Sequence, residues 1–245
     1  MNIVAVMAHP DYLGQCISGT AAAHTRRGDN VYVVAVSPGE LGIATVLYPD
    51  RPRAECVAIK TQELVEAAKV LDVTKTRVLD FPDSELVNSP ELRLAIAGIL
   101  REFKADILLT HWVNDAHPDL RATGQAALDA CLMAALAHIP LSHPAHFVPR
   151  AFAFALNTAL DFVPDVFVDI TETVQLKREA MTRYPTVVAE MKELFANGQE
   201  RSWSEWLLAP NMFWGQQSGV LYAEVFKEMK PPGLPRRAVQ ALPFH

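Results

Sequence analysis

Two copies of one tripeptide carry the residue types that acid–base and metal chemistry require. His9-Pro10-Asp11 follows an apolar segment near the start of the sequence, and His117-Pro118-Asp119 follows another apolar segment in the middle of the chain. An imidazole and a carboxylate held close together can ligate a metal, or can act as general base and electrophile. We therefore expect the two tripeptides to form the chemical centre of the protein, provided that the fold brings them together.

The segments around the tripeptides alternate between strand and helix patterns. Apolar runs rich in β-branched residues predict buried strands, and segments with helical periodicity lie between them. Strands are predicted at Asn2–Ala8, Asn30–Val36, Arg77–Phe81, Asp106–Thr110, Ala151–Ala155 and Val166–Ile170, and helices at Gly14–Arg27, Ala58–Leu71, Pro90–Phe103, Leu120–Ala137 and Thr173–Arg183. The alternation predicts a Rossmann-like, doubly wound, mostly parallel sheet flanked by helices. Such sheets bind ligands beyond the carboxyl ends of their strands, where both tripeptides stand.

Three further residues are candidates for substrate binding. Glu40 follows the second predicted strand, so its side chain could reach the same edge of the sheet. Arg53 lies near the loop Tyr48-Pro49-Asp50 and could hold an anionic group with two hydrogen bonds, although such arginines more often form surface ion pairs. His111 comes directly after the strand that ends at Thr110. It could line the pocket or ligate a metal in a shifted site, but its position favours a hydrogen-bonded structural histidine.

Length and composition favour one domain with a short appendage. The chain has 245 residues, half of them apolar, which suffices for one large core. We predict a single α/β domain over residues 1–230 and an extended, proline-rich tail over residues 231–245. The aromatic residues between 203 and 214 indicate a lid or a subunit contact, and with the tail they predict a homo-oligomer.

Charge and cysteine usage limit the partners and the compartment. The net charge is −6, and no Lys/Arg stripe is present, so we expect a small-molecule substrate and no nucleic acid. The sequence shows neither a signal peptide nor a membrane span. Three cysteines without CxxC spacing argue against a disulfide framework and predict a cytoplasmic location.

At this point the sequence resembles the LmbE/PIG-L family of deacetylases. The similarity extends in order over about residues 2–226. It is carried by the first tripeptide, Ser18-Gly19-Thr20, Gly39-Glu40-Leu41-Gly42, the helix with Lys60, Glu63, Ala67 and Ala68, Leu79-Asp80-Phe81-Pro82-Asp83, Thr110-His111, Asp115 through Asp119, Arg121-Ala122-Thr123, Pro164-Asp165, Asp169-Ile170-Thr171, Lys177, Gly219-Val220, Tyr222-Ala223-Glu224 and Phe226.

The resemblance implies a zinc-dependent hydrolase that removes N-acetyl groups from amino sugars or opens related amides; a smaller branch hydrates oxalomesaconate. It implies that His9 is a zinc ligand, that Asp11 is the general base, that His117 stabilises the oxyanion and that Asp119 orients His117. The family motifs HPDD and HPDH supply two more ligands, at the positions of Tyr12 and Leu120. Neither residue type matches, so the usual zinc site is not intact.

Three interpretations are compatible with this departure. In the first, a remodelled metal site combines His9 with Asp11, Tyr12, Asp115 or His117, because two histidines and a carboxylate form a known metal triad. In the second, a metal-free enzyme uses Asp11 as base and His117 as acid or electrophile in hydration, isomerisation or retro-aldol chemistry. In the third, the chain is a non-catalytic relative that keeps the pocket for binding.

Overall fold

The computed structural model describes residues 1–42, 49–156, 159–195 and 203–230. The predicted tail at residues 231–245 and part of the segment before residue 203 lie outside this range, so the expectations about them stay predictions. Within the described residues, no helix has the length and apolar character needed to cross a membrane.

The core of the fold is a seven-stranded, mostly parallel sheet. Its strands are β1 (Asn2–Met7), β2 (Asn30–Ala35), β3 (Lys75–Val78), β4 (Ile107–His111), β5 (Arg150–Phe154), β6 (Val166–Asp169) and β7 (Ala223–Met229). They lie in the order β3-β2-β1-β4-β5-β7-β6. Strands β1 to β5 pair in parallel, whereas β7 is antiparallel to both of its neighbours. The predicted fold class is confirmed.

Besides the helical residues 40–42, seven α-helices in the described residues connect or cover these strands. They are α1 (Ser18–Arg26), α2 (Arg53–Val70), α3 (Pro90–Glu102), α4 (Pro118–Ala135), α5 (Val174–Met181), α6 (Pro185–Phe195) and α7 (Trp203–Ser218). Helix α3 packs against α4, and α5 packs against α1 and α2. Strand β1, in the middle of the sheet, is buried on both sides, which explains why it reads as a continuous apolar run rather than an alternating one.

Several elements differ from the sequence-based expectation. Helices α6 and α7 were not predicted, β3 lies at Lys75–Val78 rather than Arg77–Phe81, and α2 begins at Arg53 rather than Ala58. The first predicted helix begins as a π-helical turn at Leu13–Ile17 and becomes α-helical only at Ser18. Strand β7 was not predicted, because its sequence AEVFKEM alternates weakly and contains three charged residues. It is recruited as a strand because β5 and β6 pair with its two edges, an arrangement that local sequence does not encode.

A buried ion pair ties the first helix to the far side of the sheet. The Lys177 ammonium lies 2.7 Å from the Glu224 carboxylate, and both side chains are almost fully buried. Glu224 accepts hydrogen bonds from the backbone N–H groups of Gly19 and Thr20, and Lys177 donates to the carbonyl of Gln15. These bonds satisfy polar groups where the π-helical turn meets α1, and so fix the segment that follows the first tripeptide.

Candidate active site

The two tripeptides meet at the switch point of the sheet. The chain runs from β1 outward to β2 and β3 and then returns to the other side of β1 as β4. Ligands of open α/β sheets bind at the carboxyl ends of two such strands. His9 follows β1 and the His117 loop follows β4, and their imidazole rings stand 5.7 Å apart between centroids. The expectation that the two loops converge is confirmed.

The ring of His9 lies between two carboxylates. Its Nε2 atom is 3.0 Å from Oδ1 of Asp83 and 3.0 Å from Oδ2 of Asp119. Asp83 comes from the loop after β3, and Asp119 from the first turn of α4. Three separate segments of the chain therefore place one nitrogen and two oxygens around a common point.

Backbone N–H groups fix both carboxylates from behind. Asp119 accepts hydrogen bonds from the N–H groups of Ser84 at 2.8 Å and Leu86 at 3.2 Å, and it is fully buried. Asp83 accepts one from the N–H of Leu41 at 2.8 Å. Hydrogen bonds of this kind orient ligating or catalytic groups before any ligand arrives.

The carboxylates decide the charge of His9. Burial by itself lowers the pKa of a histidine, but the hydrogen bonds to Asp119 and Asp83 outweigh it and raise the pKa of His9 to about 9. Burial would raise the pKa of Asp83, yet the hydrogen bond from His9 lowers it to about 2. The same partner lowers the pKa of Asp119 against the effect of its burial. Without a metal, the cluster is an imidazolium shared by two carboxylates.

His117 is held in a different state from His9. Its Nδ1 accepts a hydrogen bond from the backbone N–H of Asp119 at 3.2 Å, which makes His117 the N-cap of α4. A neutral ring that accepts at Nδ1 carries its proton on Nε2. Burial lowers the pKa of His117, and the positive charge of His9 lowers it further. The ring is therefore a neutral donor at its outer nitrogen.

The contact between Asp119 and His117 differs from the expected one. The resemblance implied that the Asp119 carboxylate orients His117, whereas that carboxylate binds His9 and the N–H groups of Ser84 and Leu86. Only the backbone N–H of Asp119 contacts the ring of His117. The reason is positional: Asp119 lies in the first turn of a helix, and its side chain projects toward the loop that follows β3.

Asp11 stands apart from the His9 cluster. Its carboxylate accepts a hydrogen bond from the side-chain amide of Gln15, one turn further along the chain. Gln15 belongs to the π-helical turn, and such turns are often found beside functional sites. Asp11 therefore remains available as a base and is not one of the converging donors.

Tyr12 and His111 form a layer beneath the site. The Tyr12 ring meets the His111 ring edge-on, with 4.7 Å between centroids. His111 is 1% exposed, and its Nε2 accepts the backbone N–H of Ala8 at 3.0 Å. Burial lowers the pKa of His111 well below its ordinary value, so the ring stays neutral. This placement fits a hydrogen-bonded structural histidine packed against Tyr12, and a role of His111 in substrate binding stays a prediction.

Glu40 and Arg53 contact each other at the rim. The Arg53 Nε lies 2.6 Å from Oε1 of Glu40, and its terminal nitrogen lies 2.8 Å from Oδ1 of Asp80. Glu40 is nearly fully buried, whereas the Arg53 side chain is half exposed. Gly39, next to Glu40, approaches the His9 ring so closely that an added Cβ would lie 3.1 Å from Cβ of His9. A role for either residue in substrate binding stays a prediction.

Asp115 and Leu120 complete the second loop without joining the cluster. Oδ1 of Asp115 accepts the backbone N–H of His117 at 2.9 Å, which supports the loop rather than a metal. Leu120 is fully buried in the core. Among the described histidines, cysteines and carboxylates, Asp115, Asp11 and His117 do not belong to the group of converging donors.

The donor set of His9, Asp83 and Asp119 fits a divalent metal. The three ligand atoms all lie within 4.8 Å of one another. Zinc accepts imidazole nitrogen and carboxylate oxygen, and its catalytic sites use three protein ligands plus one open position. Two carboxylates also balance the charge of a divalent ion, and both are already held by N–H donors.

Asp83 is the member of this set that motif reasoning missed. The sequence shows it only as the end of Leu79-Asp80-Phe81-Pro82-Asp83, without a neighbouring histidine. A usable signal was its place just beyond a predicted strand, at the same edge of the sheet as both tripeptides. That signal is weak, because Asp80 shares it and yet points to solvent, where it is 78% exposed.

Comparison with known proteins identifies the family of the chain. The PIG-L family, described as GlcNAc-PI de-N-acetylase, matches residues 4–131. A probable N-acetyl-alpha-D-glucosaminyl L-malate deacetylase 2 of Bacillus anthracis is 30% identical over 214 residues, which cover 84% of this chain and 91% of the relative. The chain belongs to the PIG-L family.

Further members of the PIG-L family support the assignment. Diacetylchitobiose deacetylase of Thermococcus kodakarensis is 25% identical over 230 residues, covering 91% of this chain and 81% of that protein. The structure of N,N'-diacetylchitobiose deacetylase from Pyrococcus horikoshii superimposes with a TM-score of 0.78 at 26% identity, covering 94% and 84% of the two chains. These relatives are deacetylases, which supports a hydrolase of deacetylase type.

Proposed function

We propose that this PIG-L family member is an amide hydrolase that removes the acyl group from an N-acylated amino sugar or a related small polar substrate. We further propose that His9, Asp83 and Asp119 hold its divalent metal. The observation that carries the proposal is the convergence of this donor set, beside an available Asp11 and a neutral His117, at the carboxyl edge of β1 and β4.

The side chains suit the proton transfers of amide hydrolysis. Asp11 accepts a proton from a water molecule as its oxygen attacks the acyl carbon. The Nε2–H of His117 donates a hydrogen bond to the carbonyl oxygen, on which negative charge develops. When the carbon–nitrogen bond breaks, the proton held by Asp11 passes to the leaving nitrogen. The products are a carboxylic acid and a free amine.

A divalent metal at His9, Asp83 and Asp119 would act as a Lewis acid that polarises the acyl carbonyl. The protein fixes this donor set through the N–H groups of Leu41, Ser84 and Leu86, so little rearrangement is needed for a metal to replace the proton on His9. Tyr12 is then not needed as a metal ligand and can have another role.

The remaining parts of the proposal concern compartment and assembly. The three cysteines, Cys16, Cys56 and Cys131, are unpaired and buried, which supports the prediction of a reducing, cytoplasmic location. The homo-oligomer stays a prediction, supported by exposed aromatic residues on α7 such as Phe213.

The test compares metal content and turnover in matched carboxylate variants. The purified protein is stripped with a chelator, loaded with Zn²⁺ and assayed for amine release from N,N'-diacetylchitobiose and N-acetylglucosaminyl L-malate. Asp83→Asn should lower the affinity for Zn²⁺ by at least about 100-fold, because it removes one donor. Asp80→Asn, three residues earlier and exposed to solvent, should leave the affinity for Zn²⁺ unchanged.

Two results would contradict the proposal in different places. Equal Zn²⁺ affinity in the Asp83→Asn and wild-type proteins would contradict the assigned metal ligands but not the proposed hydrolase activity. A Zn²⁺-loaded wild-type protein that releases amine from neither substrate would contradict deacetylase activity on this substrate class. Turnover that persists after complete chelation would favour the metal-free enzyme instead.

A further inference from the structure

We infer that Tyr12, the residue at one of the positions where the family resemblance implies a zinc ligand, is a catalytic hydrogen-bond donor to the oxygen of the substrate's acyl carbonyl. The inference rests on the proposed hydrolase function. It assigns to Tyr12 a role that this chain has and that a ligating aspartate at the same position could not have.

The first observation is where the Tyr12 ring lies. Its centroid is 5.8 Å from that of His9 and 4.7 Å from that of His111, and His9 in turn faces His117. Tyr12 is therefore a wall of the space that His9 and His117 enclose. His111 holds the ring from below and is itself held by the N–H of Ala8, so the orientation of the phenol is set before a substrate binds.

The second observation is that the hydroxyl is partly accessible and has no hydrogen-bond partner among the described residues. Tyr12 as a whole is only 7% exposed. Among the described residues its hydroxyl makes no hydrogen bond, and it is not one of the buried side-chain atoms that lack a partner. What remains of its accessible surface therefore includes the phenolic oxygen. A buried tyrosine hydroxyl normally finds a partner, so an open one in a binding site is available for a ligand.

The third observation concerns the chemistry of the hydroxyl. A phenolic hydroxyl carries a proton that it can donate in a hydrogen bond, whereas an ionised aspartate at the same position can only accept one.

These three properties match what a developing oxyanion requires. A fixed, neutral donor in a site that excludes water stabilises negative charge on oxygen without reorganisation during the reaction. His117 supplies one such donor through Nε2–H, and Tyr12 supplies a second from the side of the first tripeptide. At the position where the resemblance implies a zinc ligand, this chain thus has a hydrogen-bond donor to the carbonyl oxygen. Asp83 and Asp119 provide the carboxylate ligands of the metal instead.

A rival role for the hydroxyl is purely structural. The second carboxylate oxygen of Asp115 is buried and has no partner among the described residues. A water molecule between this oxygen and Tyr12 would satisfy both groups. Removal of the hydroxyl would then lower the stability of the fold and leave the reaction rate unchanged, which separates this role from a catalytic one.

The experiment uses the Zn²⁺-loaded full chain and the Tyr12→Phe variant, which keeps the ring and its contacts. We expect kcat for N,N'-diacetylchitobiose to fall about 100-fold or more, with KM within about threefold of wild type, because the lost contact forms mainly in the transition state. Bound Zn²⁺, measured by elemental analysis, should not change. Tyr32→Phe, a change in β2 where the Tyr32 ring stacks on Phe103, should alter neither value.

A binding measurement accompanies the kinetics. Calorimetry with a phosphonamidate analogue of N-acetylglucosamine, which mimics the tetrahedral intermediate, should show a loss of affinity in Tyr12→Phe similar to the loss in kcat. The affinity for the planar N-acetyl compound should stay the same. Circular dichroism and the melting temperature confirm that each variant is folded.

Three outcomes decide the matter. A Tyr12→Phe protein with kcat within threefold of wild type overturns the inference, and a lower melting temperature in that case supports the water bridge to Asp115. A loss of Zn²⁺ together with activity also overturns it, because Tyr12 would then be a ligand. If the wild type neither hydrolyses the substrates nor binds the phosphonamidate, the proposed function itself has failed and the role of Tyr12 in it falls too.

Discussion

The same tripeptide, His-Pro-Asp, follows two neighbouring strands and does different work in each place. In the copy after β1, the imidazole of His9 is charged and faces Asp83 and Asp119, and Asp11 is free apart from its bond to Gln15. In the copy after β4, His117 is neutral and the carboxylate of Asp119 is sealed in the interior. Identical residues therefore have different roles because different structural elements follow them in the chain.

The start of the next helix is the main difference between the two copies. Helix α4 begins immediately, with His117 as its N-cap and the proline in its first turn, a position that suits proline because its missing N–H needs no partner there. After β1 the helical turn has Tyr12 as its N-cap, so it begins three residues later relative to the tripeptide. Asp119 is thereby buried at a helix N-terminus, whereas Asp11 stays in the loop.

The largest effect is expected from Asp119, because its carboxylate serves both the site and the fold. Asp119→Ala leaves the N–H groups of Ser84 and Leu86 without acceptors and removes one partner of His9. We expect the free energy of unfolding to fall by about 3–5 kcal/mol, as for other buried charged networks that lose one partner. Bound Zn²⁺ should be lost as well. Chemical denaturation measures the free energy of unfolding, and elemental analysis measures bound Zn²⁺. A variant that is as stable and binds as much Zn²⁺ as the wild type would contradict the double role assigned to Asp119.

A change at Asp11 should lower activity strongly and stability only slightly. Asp11→Asn keeps the shape of the side chain but removes the proton acceptor, so kcat should fall by about 10²- to 10⁴-fold. The free energy of unfolding should change by less than about 0.5 kcal/mol, since the side chain lies in a loop and is partly exposed. Steady-state kinetics and denaturation of the same preparation test this. If Asp11→Asn destabilises the protein as much as Asp119→Ala, the two aspartates do not differ in the way we describe.

His117 allows its two roles to be separated. His117→Ala removes both the cap of α4 and the donor to the oxyanion, so we expect a loss of about 1 kcal/mol in stability and about 10²- to 10³-fold in kcat. His117→Asn supplies a good N-cap without an imidazole. It should restore stability to within a few tenths of a kcal/mol while kcat stays low. Recovery of kcat in His117→Asn would show that the ring acts only as a cap.

Local sequence patterns were enough to predict the fold class and the location of the candidate site. Strand and helix follow from apolar runs and helical periodicity, which act over a few residues, and the alternation of the two implies a parallel sheet with its site at the carboxyl edge. That is why the convergence of the tripeptides and the fold class were predicted.

The contacts between side chains in the site depend on the tertiary structure. Whether Asp83 or Asp80 turns inward depends on how the loop after β3 crosses the first turn of α4, and these segments are about 35 residues apart in the chain. The burial of His111, the turn of Asp119 toward His9 and the recruitment of β7 are likewise set by partners that are remote in sequence. Short-range patterns carry no information on such contacts, because the energy that selects them comes from packing and hydrogen bonding between distant segments.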